Sequence, residues 1–125
     1  MSVLIDTSVW IDYFRSGLNS ENLDGLIEDN LVVTNDLILA ELIPFLKLRK
    51  QHEIIDLLNH IGKLTLAIDW GQIIEFQYLC LRSGLNGIGI PDLIIFQNAQ
   101  QNSVEIYSLD KHFKLMKDIL DFATL

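Results

Sequence analysis

Short apolar runs of β-type residues alternate with longer amphipathic segments of helical length along the whole chain. The β-type runs lie at residues 3–6, 31–34, 63–68 and 104–109. This alternation is typical of an α/β protein, in which helices connect the strands of a mostly parallel sheet. We therefore expect a short, mostly parallel sheet of four or five strands flanked by helices, with residues 1–125 forming a single domain. The fifth strand would be a short edge strand at 122–125.

The helical segments are indicated by apolar residues three and four positions apart and by capping residues. Pro44 lies inside one of them and predicts an end or a kink there. Asp69, with Gln72 three residues later, resembles a capping box, and Pro91 suits a first helical turn. The predicted helices cover residues 8–15, 19–28, 36 to beyond 41, 51–61, 70–81 and 92–100.

The charge balance is acidic, with nine Lys and Arg against seventeen Asp and Glu and a formal net charge of −8. Proteins that bind polyanions usually have a basic surface, because phosphate contacts supply most of their affinity. An acidic chain can still act on nucleic acid if a bound divalent metal reverses the local field, and it can also bind a basic protein. The net charge leaves both functions open.

The remaining composition indicates an intracellular protein. Cys80, the one cysteine, lies in an apolar stretch and is interpreted as a packed core thiol. The N-terminus has no basic region, and the apolar run at 3–5 is far too short for a signal sequence. No apolar run approaches the roughly 18 residues of a membrane span. We therefore expect a cytoplasmic location and no membrane association.

Four acidic residues stand where an acid is unexpected. Asp6 ends the first apolar strand, and Asp110 ends the strand that contains IYSL. Glu41 is the only charged residue in the ten-residue run LILAELIPFL, and Asp92 leads directly into LIIF. On a helix Glu41 shares a face with Ile38, Leu42 and Phe45, so its carboxylate is expected to point inward or toward a cleft. An ionised carboxylate placed there must be paired, bind a metal or become neutral.

The topology of a parallel sheet predicts that these four acids meet. Strand carboxyl ends and the following helix N-termini face one edge, where ligands bind. Carboxylates gathered there without basic partners raise one another's pKa, and a hard divalent cation relieves this. Ligation by oxygen alone favours Mg²⁺ or Mn²⁺, and the three histidines show no metal-binding spacing. Such a site can activate water for phosphoryl transfer.

Each acid also has an ordinary explanation. Asp6 and Asp92 can cap helices, and Asp110 can begin a turn. Glu41 can be a buried acid paired with a distant base. What favours a functional site is that all four would lie on one edge of the sheet.

Four short motifs resemble the PIN-domain family, and most closely the ribonuclease toxins of VapBC-type toxin–antitoxin systems. The motifs are DTSVWIDYF, LAEL, PDLIIFQNA and SLDKHF, and they cover Val3 to about Phe113 in the expected order. The resemblance implies a PIN-like fold and a ribonuclease that cuts RNA phosphodiester bonds with Mg²⁺ or Mn²⁺. The catalytic and metal-binding acids that it implies are Asp6, Glu41, Asp92 and Asp110, with Ser8 supporting the site.

The same resemblance implies a homodimer held inactive by an antitoxin. The antitoxin's C-terminal segment, often with a basic residue, would enter the acidic cleft. Two departures from the family pattern stand out. Bulkier residues, 95–98, replace the small residues that often follow the third acid, and Asn98 among them has the length to reach the site. His112 stands where many relatives have another acid, so a fifth carboxylate is not expected.

Basic residues that could contact RNA are fewer than the acidic residues of the chain, and their positions are also compatible with other roles. The densest patch, LKLRK, follows Glu41, but it also suits a solvated helix end. The predicted RNA-binding residues are Arg15, Lys47, Arg49, Lys50, Lys111 and Lys114.

Three other functions fit parts of the pattern. A receiver-type phosphoacceptor domain also gathers acids around Mg²⁺, but it needs adjacent acids after the first strand, where Asp6 stands alone. A haloacid-dehalogenase-type phosphatase needs a second aspartate at the position of Ser8. A non-catalytic domain whose acids bind a basic partner would fit the charge without any enzymatic activity.

Overall fold

The computed structural model, which describes residues 1–123, contains a parallel sheet of four strands. The strands are β1 (Val3–Ile5), β2 (Val32–Asn35), β3 (Gly62–Leu64) and β4 (Glu105–Tyr107). Their order is β3-β2-β1-β4, and each neighbouring pair is parallel. The chain therefore builds from β1 toward β3 and then returns to the other side of β1. Ligands of open parallel sheets bind beside such a reversal, outside the strand carboxyl ends.

Seven helices surround this sheet in the described part of the chain, and the predicted α/β fold class is confirmed. They are α1 (Thr7–Arg15), α2 (Asn22–Glu28), α3 (Asp36–Leu48), α4 (His52–His60), α5 (Trp70–Arg82), α6 (Ile90–Gln101) and α7 (Lys111–Ala123). Helix α3 does not end at Pro44 but continues to Leu48. Pro44 cannot donate to the Ala40 carbonyl one turn earlier, but Ala40 is exposed, so water can satisfy that carbonyl.

Helix α7 was not predicted from the sequence. Its buried residues are Phe113, Met116 and Leu120, whose spacing of three and four residues forms one apolar helical face. Of the edge strand expected at 122–125, Phe122 and Ala123 belong to this helix, whereas residues 124 and 125 lie outside the described part of the chain.

Strand β3 ends at Leu64, although the sequence predicted a strand to residue 68. Side-chain amides of α6 take over the hydrogen bonds of the following backbone. Gln101 Nε2 donates to the Ala67 carbonyl at 2.9 Å, and Gln97 both accepts from the Asp69 N–H and donates to the Asp69 carbonyl, each at 3.1 Å. The segment is therefore fixed against a helix and not by a neighbouring strand.

Helix α6 is the central helix of the core, with seven consecutive buried residues from Leu93 to Ala99. Asn98, only 2% exposed, donates to the Thr65 carbonyl at 3.0 Å and accepts from Asn35 Nδ2 at 2.9 Å. The Asn35 side chain in turn accepts from the Ile38 N–H at 2.9 Å and caps α3. This asparagine pair joins the start of α3 to the middle of α6.

Within residues 1–123, none of the helices has the length and apolar composition needed to cross a lipid bilayer.

Replacing Asn98 with alanine should destabilise the fold, because Asn35 would lose a buried partner. We expect Asn98→Ala to lower the free energy of unfolding by about 2–4 kcal/mol, since a buried polar group left unpaired costs roughly 1–3 kcal/mol and a second hydrogen bond is also lost. Urea denaturation followed by circular dichroism measures this. Asn59→Ala, at an exposed position of α4, is the matched control, with an expected change below about 0.5 kcal/mol. Equal effects of the two substitutions would contradict the structural role of Asn98.

Candidate active site

Asp6 lies at the carboxyl end of β1, the strand beside which the sheet reverses direction. It is 5% exposed and is the N-cap of α1. Its Oδ2 atom accepts hydrogen bonds from Ser8 Oγ at 2.7 Å and Ser108 Oγ at 2.8 Å. No donor among the described residues bonds to the other oxygen, Oδ1. One carboxylate oxygen is therefore fixed by the protein, and the second is available to a ligand.

The two serines also tie β1 to the segment that follows β4. The Leu109 N–H donates to Ser8 Oγ at 3.0 Å, and the Asp110 N–H donates to Ser108 Oγ at 2.9 Å. Each hydroxyl thus accepts from the backbone and donates to Asp6. This arrangement fixes Asp110 relative to Asp6 through a short, fully bonded link.

Asp110 directly precedes helix α7. Its Oδ1 atom accepts from the His112 N–H at 2.9 Å and lies 3.3 Å from the His112 ring nitrogen Nδ1. His112, at the position where a fifth carboxylate is not expected, therefore lies against Asp110.

Glu41 is exposed and does not point into the core. Ile38 and Leu42 are fully buried on α3, while Glu41 lies about 60° round the helix from Ile38, at the margin of this face. Thr7 Oγ1 donates to its Oε1 atom at 3.1 Å. Of the two orientations predicted from the sequence, the structure contradicts the inward one.

The Glu41 carboxyl group lies close to the other acids. Loss of hydration against the protein surface raises its pKa, the hydrogen bond from Thr7 lowers it, and the charges of Asp6 and Asp92 raise it further. The net result is a pKa above the ordinary value for glutamate.

Asp92 is half-buried in the first turn of α6. Partial burial is the largest cause that raises its pKa, a hydrogen bond from the Gly89 backbone N–H lowers it, and the charges of Asp6 and Asp110 raise it again. His112 also acts on this carboxylate, in the direction that lowers its pKa. The pKa of Asp92 remains above that of an ordinary aspartate.

The fold places all four predicted acids at one edge of the sheet. Asp92 interacts electrostatically with Asp6, Glu41 and Asp110, and Glu41 interacts with Asp6. No described Lys or Arg forms an ion pair with any of the four. The side chains do not already surround one point, because no group of three or more His, Cys, Asp or Glu among residues 1–123 is arranged to hold a metal ion.

The donor chemistry of this cluster fits a hard divalent cation. It consists of carboxylate and hydroxyl oxygens, the ligands that Mg²⁺ and Mn²⁺ prefer. The open Oδ1 atom of Asp6 and the raised pKa values of Glu41 and Asp92 are features that a cation would satisfy. The oxygen ligands are thus present at the site, although they are not assembled around a metal position.

The six predicted RNA-binding residues lie in two regions. Arg15 ends α1, and the patch at 47–50 ends α3. Both are about 9–14 Å along their helices from Asp6 and Glu41, toward the opposite edge of the sheet. Lys111 and Lys114 lie in the first turns of α7, directly after Asp110.

Thr7 and Ser108 were not among the predicted site residues. Each is adjacent to, or two residues from, a predicted acid: Thr7 follows Asp6, and Ser108 precedes Asp110 by two positions. The sequence signal available was the hydroxyl residue beside an acid at a strand end, which also describes many ordinary caps and turns.

Several solved structures resemble this chain, among them the following three. VapBC2 from Rickettsia felis, bound to a DNA fragment from its promoter, is 20% identical with a TM-score of 0.72 over 91% of this chain and 92% of that one. FitAcB from Neisseria gonorrhoeae is 22% identical with a TM-score of 0.69, covering 94% of each chain. VapC20 from Mycobacterium tuberculosis, a sarcin–ricin loop cleaving toxin, is 17% identical with a TM-score of 0.64 over 91% of this chain and 94% of that one.

At these identities the likeness establishes the fold alone, and a comparison with curated proteins gives no match. The family model of the PIN domain, however, matches residues 3–119, which is nearly the whole chain. Together with the parallel sheet and its edge of acids, this match shows that the chain belongs to the PIN domain family.

Proposed function

We propose that this PIN domain is a metal-dependent endoribonuclease, the toxin of a toxin–antitoxin pair, that hydrolyses RNA phosphodiester bonds. The observation that carries the proposal is the group of four acids at the reversal point of the sheet, none of which pairs with a described Lys or Arg. The catalytic and metal-binding residues would be Asp6, Glu41, Asp92 and Asp110, with Ser8 and Ser108 as supporting residues. The PIN family and its toxin neighbours support the reaction class.

Bound Mg²⁺ or Mn²⁺ would supply an activated water and neutralise charge on the phosphoryl oxygens. The chain's own residues prepare this site. Ser8 and Ser108 fix Asp6 through Oδ2 and leave Oδ1 as a ligand. Thr7 fixes Glu41 through Oε1, and the Gly89 N–H fixes Asp92 at the start of α6. His112 contacts Asp110 and acts on Asp92 in the direction that lowers the pKa of that carboxyl group.

Family membership and an RNA cleavage assay distinguish the proposed nuclease from the alternative functions. Membership in the PIN domain family excludes a receiver-type phosphoacceptor domain. A non-catalytic acidic domain would bind a basic partner but would not cleave RNA when a divalent metal is added.

The proposed antitoxin would place a basic side chain among the unpaired acids. This would satisfy the carboxylates in place of a metal and keep the enzyme inactive. One structural neighbour is VapBC2. The sequence resembles the toxins of VapBC-type systems. Inhibition of RNA cleavage by the product of a small neighbouring gene would support this partner, and the absence of inhibition would exclude that product.

The proposed homodimer has a candidate interface on α5. Its buried face contains Ile73, Phe76 and Cys80. Its outer face carries large apolar side chains that are 53–70% exposed: Trp70, Ile74, Tyr78 and Leu81. They present on the order of 400–500 Å² per copy, so a symmetric pair would bury about 1,000 Å², close to the lower limit for a specific interface. This self-complementary surface favours a second copy of the chain as its occupant.

Substitution of Asp6 tests the nuclease. Asp6→Asn retains the helix cap but removes the charge, so we expect RNA cleavage to fall by more than about 100-fold, while Ser108→Ala reduces it by roughly 10–100-fold. Cleavage of a labelled single-stranded RNA in Mn²⁺ provides the measurement, and EDTA should abolish it. Asp56→Asn, an equal charge change at an exposed position of α4, is expected to cleave normally. Full activity of Asp6→Asn, or cleavage in EDTA, would refute the proposal.

Removing the Asp92 charge should stabilise the metal-free protein. The pKa of Asp92 is raised in the folded state, so its contribution to stability is complete below the unfolded pKa and is lost as pH rises through the folded pKa. We expect Asp92→Asn in EDTA to melt a few degrees above the wild type at neutral pH, and the difference to vanish near pH 4. Adding Mn²⁺ should raise the melting temperature of the wild type more than that of the variant. A lower melting temperature for Asp92→Asn at neutral pH would contradict this electrostatic account.

A charge placed on the outer face of α5 should separate the dimer. Ile74→Glu is expected to reduce the mass measured by light scattering from twice 14.3 kDa to 14.3 kDa, because burying an unpaired carboxylate is costly. Ile74 is 70% exposed, so the monomer fold should tolerate the change. Leu48→Glu, at an 85% exposed position that ends α3, is the control and should remain dimeric. A monomeric wild type, or a dimeric Ile74→Glu, would exclude this interface.

A further inference from the structure

A groove of about 630 Å³ lies between β4, the second half of α6 and helix α7. Its apolar lining includes Phe96, Ile106 and Phe113, and Ser108 and Asp110 line it as well. Ser108 donates to Asp6, and Asp110 is one of the four proposed catalytic acids. The groove therefore reaches the margin of the candidate active site at Asp110, while Asp6, Glu41 and Asp92 do not line it. Its volume suits a ligand of drug size, which corresponds to one or two nucleotides of a single strand.

One wall of this groove carries a row of lysines. Lys111, Lys114 and Lys117 all line it from α7, and all three are exposed. Successive members are about 4.5 Å apart along the helix axis, so the row spans about 9 Å and begins immediately after Asp110. Half of the six lysines in this acidic chain therefore lie along one short track.

The three lysines are available to an anionic ligand. None of their ammonium groups forms an ion pair with a described residue, whereas Lys63 pairs with Asp36 at 3.0 Å. The groove also contains acids, because Glu105 lines it from β4 and Asp121 lines it one turn beyond Lys117. The positive track is therefore short, and it suits about two successive phosphates, not a long polyanion.

We propose that this groove, and not the basic patch at the end of α3, holds the single-stranded RNA segment next to the cleaved bond. Lys111, Lys114 and Lys117 contact its phosphates, and the apolar floor contacts its bases. The assignment rests on the proposed nuclease function and adds Lys117 to the predicted RNA-binding residues. Lys47, Arg49 and Lys50 lie at the far end of α3 and are assigned no contact with this segment.

The test measures RNA binding without catalysis. A short fluorescein-labelled single-stranded RNA is titrated with the full chain in EDTA, and its anisotropy is followed at several salt concentrations. The double variant Lys114→Ala/Lys117→Ala should weaken binding roughly tenfold and reduce the slope of log K against log salt by about 1.4, because each phosphate contact on a single strand contributes about 0.7. Both lysines are exposed, and circular dichroism checks that the variant is folded.

The matched control is the double variant Lys47→Ala/Lys50→Ala, which removes the same charge from the far end of α3. It should leave both affinity and salt slope unchanged within twofold. Equal losses in the two double variants would show a general effect of net charge and would overturn the groove. An unchanged Lys114→Ala/Lys117→Ala would overturn it as well.

Two further measurements separate the RNA assignment from its alternatives. Polyglutamate at equal charge should not displace the RNA, and if it does so as well as unlabelled RNA, the groove is a site for acidic peptide and the proposal fails. Cleavage in Mn²⁺ is measured separately. If the wild type cannot cleave RNA but Lys114→Ala/Lys117→Ala still weakens RNA binding, the nuclease proposal is refuted and the RNA-binding groove is supported. If both the wild type and Lys114→Ala/Lys117→Ala cleave RNA with the same KM, the RNA-binding groove is refuted and the nuclease proposal is supported.

Discussion

Electrostatic repulsion among carboxylates at one edge of the sheet is the constraint on which the rest of this structure depends. Asp6, Glu41 and Asp92 interact with one another, and no described Lys or Arg pairs with them. Such groups would move apart or become protonated if they were free to do so. The fold prevents separation because each acid is attached to a rigid element, and the buried helix α6 fixes the distances between those elements. Loss of hydration is the largest cause of the raised pKa of Glu41 and of Asp92, and the charges of neighbouring acids raise both pKa values further, so the repulsion is not removed.

Helix capping and ligand binding are compatible roles for these acids. Asp6 caps α1, Asp92 lies in the first turn of α6, and Asp110 accepts a backbone N–H of α7. The partial positive charge at each helix N-terminus offsets part of the repulsion, so helix capping helps to keep the acids in place for ligand binding. Asp6 illustrates this most clearly, because the hydroxyls that fix Oδ2 leave Oδ1 without a described donor. A hard cation would offset the repulsion among the acids that the helix N-termini leave.

The sequence predicts the acids better than it predicts the strand ends, because the acids depend on local patterns and on one topological rule. Asp6 directly follows β1, and Glu41 is predicted from its isolation in an apolar run. Strand β4, predicted to reach residue 109, ends at Tyr107, so Asp110 lies three residues beyond it. The early end of β3 could not be predicted, because Gln97 and Gln101, about 30 residues later, take its hydrogen bonds. Helix α7 was predictable in principle from Phe113, Met116 and Leu120, but the turn-like SLDKHF and the apolar FATL concealed its pattern. Ser108 depends on a contact with Asp6 across 102 residues, which no local pattern reveals.

The net charge of −8 is a poor guide to where this chain can bind an anion. Salt screens exposed charges beyond about 8–10 Å, so a phosphate on the groove experiences mainly the side chains within that distance. There it meets three lysines, Lys111, Lys114 and Lys117. It also meets three acids that line the same groove: Glu105, Asp110 and Asp121. The local charge is therefore close to balanced, unlike that of the whole chain. A divalent cation at the catalytic edge would neutralise part of the remaining repulsion. RNA should therefore bind this edge more weakly without the metal than with it. In the proposed nuclease, metal binding would therefore govern RNA binding as well as the chemical step, because both would depend on the charge of the same four carboxylates.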